Sequence, residues 1–91
     1  MIATNVEEAM NETARRMKAV GWTAIRLNRR DEAVIGYRVL NGVRYQITVF
    51  GFVFLFVATG AMVVVRETAS GRCVWNKGPF HHSIPNLLDI V

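Results

Sequence analysis

The sequence predicts a single α+β domain over residues 1–91. An N-terminal helix packs on one face of an antiparallel β-meander of five to six strands, followed by a short C-terminal helix or extended segment. Three observations lead there. Apolar residues recur at helical spacing between about residues 5 and 20, and from Trp22 onward the period shortens to two. Asn41-Gly42 stands between Val39-Leu40 and Val43-Arg44, the strongest short-range signal for a two-residue hairpin.

The helix is specified at both ends. Thr4 and Asn5 are good caps, and each has a glutamate three positions on, Glu7 and Glu8, the spacing of a capping box. Val6, Met10, Thr13, Met17 and Val20 fall on one face and are expected in the core. Acidic residues occupy the first turns and Arg15, Arg16 and Lys18 the last, which complements the helix dipole. Glu12 can pair with Arg16, and Gly21 stands where a left-handed C-terminal residue belongs. These cations have a structural role already and are not candidates for a binding site.

The Asn41-Gly42 turn fixes a register. It pairs Leu40 with Val43, Arg38 with Tyr45, Gly36 with Ile47 and Val34 with Val49, and this apolar side is the predicted core. Arg38 is its exception and must snorkel, pair or lie at the rim. The other side carries Ile35, Tyr37, Val39, Arg44, Gln46 and Thr48. A turn at Arg30-Asp31 sends Ile25 and Leu27 inward, with Trp22, Ala24 and Arg26 outward. A turn at Phe50-Gly51 begins a strand with Phe52, Phe54 and Phe56 inward. Turns at Thr59-Gly60 and Ser70-Gly71 add Ala61, Val63, Val65 and Val74 to the core. The outer side of these later strands is then Val53, Leu55, Val57, Met62, Val64 and Trp75, where a one-sided sheet would place polar residues. Asn76-Lys77-Gly78-Pro79 reads as a turn. Phe80, Ile84, Leu87, Leu88 and Ile90 of the final segment are available to cover part of the outer side, with a short helix starting near Ser83 or Ile84.

Composition points the same way. In 91 residues, 52% hydrophobic content and a mean hydropathy of +0.23 exceed what one small core absorbs, which predicts a second copy or a partner protein. The formal charge of +4, with a pI near 10.0, mildly favours anionic partners. A single cysteine, Cys73, permits no intrachain disulfide and fits a reducing compartment. The N-terminus lacks the basic and apolar regions of a signal peptide, so a cytoplasmic location is expected.

No catalytic or metal-binding constellation stands out. His81, His82, Cys73 and Asp89 match no zinc spacing, and Ser83, His82 and Asp89 lack a nucleophile elbow. The glycines read as turns or bulges, and Cys73 as a half-buried, inert thiol. No enzyme activity, cofactor, metal or small-molecule substrate is therefore expected.

The expected function is that of a small binding protein acting by protein–protein contact through the outer sheet face, as a stoichiometric inhibitor or adaptor or as a homodimer. Small phage proteins that block host complexes have this character. The interface candidates are Trp22, Tyr37, Arg44, Val53, Leu55, Val57, Met62, Val64 and Trp75. Two alternatives stay open. Arg26, Arg44, Tyr37 and Trp22 form a basic and aromatic set suited to single-stranded nucleic acid. The uncharged run Ile47 to Val65, 19 residues, is long enough to span a bilayer as one helix, although its β-branched content and internal glycines favour strands.

Overall fold

A computed structural model describes residues 5–52, 61–81 and 83–91, without the side chains of 79–81. The chain forms helix α1 (Val6–Ala19), strands β1 (Thr23–Asn28), β2 (Ala33–Leu40), β3 (Val43–Phe50), β4 (Ala61–Glu67) and β5 (Cys73–His81), and a 3-10 turn at Leu87–Asp89. The strands make one antiparallel sheet in the order β1-β2-β3-β4-β5. The α+β class and the meander are those the sequence predicts, and the sheet has five strands.

Helix α1 begins as its cap predicts, with the Asn5 side chain accepting from the Glu8 N–H at 2.9 Å. It ends in a Schellman motif. The Gly21 N–H donates to the Lys18 carbonyl at 3.1 Å, the Trp22 N–H donates to the Met17 carbonyl at 3.0 Å, and Gly21 takes φ +98°. Met10 and Met17 are fully buried, and Val6, Ala14 and Val20 pack beside them. Burial of each methionine contributes about 1.5–3 kcal/mol.

The helix lies over β1 and β2. Gly36 lets it approach closely: a Cβ there would stand 2.8 Å from Met17 Cε, 3.3 Å from Ile47 Cγ2 and 3.4 Å from Ile25 Cγ1. The β2–β3 hairpin has the register that Asn41-Gly42 predicts, from Leu40↔Val43 to Val34↔Val49. Both turn residues have positive φ, +51° and +79°, as a type I′ turn requires. Val34, Ile47, Val49, Val63 and Val65 are buried on this inner face.

Five expectations need correction. The strand predicted after Phe50-Gly51 does not lie between β3 and Ala61–Glu67, because β4 pairs directly with β3 from Phe50↔Met62 to Tyr45↔Glu67. The same pairing excludes one continuous helix from Ile47 to Val65: its two ends are strands hydrogen-bonded to each other. Among the described residues no helix is long and apolar enough to cross a membrane. Asn76 to Pro79 is not a turn but part of β5, whose pairing with β4 is irregular between Ala61 and Val63. The C-terminal segment packs on the inner side, not the outer one. Leu87 is fully buried, Ile84 and Ile90 join the same core cluster, and Leu88 faces solvent. The 3-10 turn also starts later than predicted, capped by Asn86 after Pro85.

Two polar side chains pin that segment. The Trp22 Nε1–H donates to the Pro85 carbonyl at 2.8 Å. Arg38 Nη1 donates to Asn86 Oδ1 at 3.1 Å and to the Val20 carbonyl at 3.4 Å, so the arginine on the core side is tied to the end of α1. Asn86 Oδ1 also accepts from the Leu88 N–H at 3.0 Å.

Gly36→Val should lower stability by about 1–3 kcal/mol, because its side chain would crowd Met17, Ile47 and Ile25 together in the closed core. Urea denaturation followed by helix ellipticity checks this. An unchanged midpoint would show that the helix does not sit on Gly36.

Candidate functional site: the outer face of the sheet

Side chains alternate along each strand, so the face turned away from α1 follows from the register. One row across it reads Tyr37, Gln46, Arg66 and Cys73; the next reads Arg26, Ile35, Thr48, Val64 and Asn76. Val39 and Arg44 form a row toward the hairpin tip, and Phe50 pairs with Met62 toward the other end.

Of the predicted interface residues, Tyr37, Arg44, Met62 and Val64 are on this face, and so is Arg26 from the nucleic-acid set. Arg44 places its Cζ 4.2 Å from the centroid of the Tyr37 ring. The two are diagonal neighbours, since Arg44 opposes Val39 and Tyr37 opposes Gln46. Tyr37 is steadied from the other strand, where the Thr23 hydroxyl donates to its carbonyl at 2.7 Å. Met62 is 41% exposed and Val39 63%. Val64, although on the outer side, is only 8% exposed within the single chain and offers little to a partner.

Trp22 and Trp75 are not on this face. Thr23 pairs with Tyr37 but Arg26 pairs with Ile35, so one extra residue is accommodated in β1, where Ala24 takes φ +50°. The insertion reverses the alternation and turns Trp22 to the core, where it is 1% exposed. A second irregularity lies between Val65↔Trp75 and Arg66↔Cys73. It brings Trp75 opposite inner-face Val65, half-buried against the core cluster. Val53, Leu55 and Val57 lie outside the described residues.

Cys73 is exposed, contrary to the half-buried position expected. Its Sγ lies 3.4 Å from Asn76 Nδ2, which donates to it. Among the described residues no group of His, Cys, Asp and Glu is arranged to hold a metal ion.

Charge is unevenly distributed. Of the seven acidic residues, Glu7, Glu8 and Glu12 are on α1, Asp31 and Glu32 in the β1–β2 turn, Glu67 opposite Tyr45 on the inner side, and Asp89 in the 3-10 turn. None is on the outer face, where Arg26, Arg44 and Arg66 are all exposed. Arg26 and Arg44 are among the sequence-predicted site residues and Arg66 is not, although alternation from Val63 and Val65 places it on this face.

An exposed cation–π pair contributes about 0.5–1 kcal/mol. A double-mutant cycle with Tyr37→Ala and Arg44→Ala, read by urea denaturation, should return a coupling of that size. A coupling above about 2 kcal/mol would make Arg44 a structural staple instead of a surface group. In comparisons with protein-family models, curated proteins and solved structures, none matches the chain.

Proposed function

We propose that the chain is a non-enzymatic binding protein whose outer sheet face docks onto another protein, as an inhibitor or adaptor does. The observation that carries this reading is the division of labour between the two faces. Helix α1 and the C-terminal segment both pack on the inner face. The outer one keeps Val39 and Met62 exposed at its two ends, with the Tyr37–Arg44 stack between. Tyrosine and arginine are enriched at the centres of protein interfaces, and exposed apolar residues supply the area such a contact dehydrates.

The nucleic-acid reading keeps Arg26 and Arg44 but loses its stacking platform. Trp22 is in the core, and one face of the Tyr37 ring is taken by Arg44.

The test compares two exposed positions on opposite sides. Immobilised wild-type protein and a Leu88→Asp variant should retain the same protein from a lysate of the source cells, since Leu88 is 55% exposed but lies away from the outer face. A Val39→Asp/Met62→Asp variant should lose it while keeping helix ellipticity, because exposed substitutions shift stability by only about 0.5 kcal/mol. Equal retention by all three, or retention of nothing, overturns the proposal.

A further inference from the structure

We infer that the partner's contacting surface is an acidic protein segment with apolar side chains among its carboxylates. This rests on the docking reading above and names the chemistry of the occupant.

The first support is the pattern of unpaired cations. Arg15 and Arg16 pair with Glu12, Arg29 with Glu7 and Arg72 with Glu67. Arg38 is bound to the Val20 carbonyl and Asn86. Among the described residues, no carboxylate stands within ion-pair distance of Arg26, Arg44 or Arg66, and no acidic residue shares their face. A surface with both signs interspersed would satisfy itself; this one leaves three cations for an outside anion.

The second support comes from excluding other occupants. A second copy docked face to face would set one arginine-bearing face, with no acidic residue of its own, against another, and like-charge juxtaposition costs several kcal/mol. Single-stranded nucleic acid needs aromatic faces for its bases; among the described residues of this face Tyr37 has one side taken by Arg44, and Phe50 is half-buried at the end away from Arg44. Both lysines are elsewhere, Lys18 on α1 and Lys77 opposite Val63 on the inner register. The cations of the outer face are thus all arginines, whose planar fork matches a carboxylate in two parallel hydrogen bonds.

The spacing is specific. Arg26 on β1 and Arg66 on β4 are three strand spacings and one row apart, ~16 Å. An extended segment rises ~3.4 Å per residue, so carboxylates about four to five residues apart would reach both arginines from a chain crossing the strands obliquely. Val39 and Met62 flank this path and would receive the apolar side chains.

Fluorescence anisotropy tests this with two labelled probes of equal formal charge: a glutamate-rich peptide with interspersed leucines, and oligothymidylate. The peptide should bind the wild-type protein at low salt and weaken as salt is added. Binding should fall at least about tenfold in the Arg26→Gln/Arg44→Gln/Arg66→Gln variant, the loss expected of several charge contacts together. Oligothymidylate should bind more weakly than the peptide. Undiminished peptide binding by the triple variant overturns the inference, as does tighter binding of oligothymidylate, or no peptide binding. If the peptide fails while Val39→Asp/Met62→Asp still abolishes capture of a protein that Leu88→Asp retains, the acidic partner is wrong and the docking face stands. Loss of that contrast removes the docking face too.

Discussion

Successive side chains of a strand point to opposite faces, so one inserted residue reverses the assignment of everything beyond it. In this protein that insertion is in β1, where Ala24 sits at φ +50° between the pairs Thr23↔Tyr37 and Arg26↔Ile35. It delivers the bulkiest side chain of the core, Trp22, to the inner face. The Schellman motif at the end of α1 fixes the same residue from the other direction, because the Trp22 N–H closes onto Met17. Trp22 then holds the Pro85 carbonyl and thereby the C-terminal segment. Helix, sheet edge and C-terminus meet at this indole, and all of them meet on one side.

The opposite side is defined by that arrangement. With the helix over β1 and β2, and Leu87, Ile84 and Ile90 in the same cluster, both described packing elements lie on the inner face. Among the described residues the outer face carries Arg26, Arg44 and Arg66 with Tyr37, Gln46, Thr48, Cys73 and Asn76, the half-buried Ile35 and Phe50 and the buried Val64, bounded by Val39 and Met62. Of the described apolar residues predicted for it, Trp22 and Trp75 turn inward and Val64 is buried. The described part of the face is thus basic and arginine-bearing, with exposed apolar residues at its ends.

The hairpin was legible because its turn chemistry and its apolar pattern agree residue by residue. Asn41-Gly42 set the register, and Tyr37, Arg44, Val34 and Ile47 followed onto their correct sides. Helix α1 was equally legible from Asn5, Gly21 and the spacing of Met10 and Met17. Alternation misassigned both tryptophans for the same reason: a bulge lies between each and the turn from which the register was counted. The Trp22 position did carry a local signal, an apolar residue directly after the C-terminal glycine of a helix with Met17 at its third-last position. The run after Phe50-Gly51 was placed beside β3 because its apolar residues alternate as well against β3 as those of β4 do. Only the β3–β4 register, with Val49 opposite Val63, distinguishes the cases.

Hydroxyl-radical footprinting read by mass spectrometry tests most directly whether the two faces differ as described. Met62 and Tyr37 should be modified readily in the native protein, while Met10, Met17, Trp22 and Tyr45 stay protected until it is unfolded. Native Trp22 modified as fast as Tyr37, or Met62 as protected as Met17, would contradict the inward indole and the open outer face.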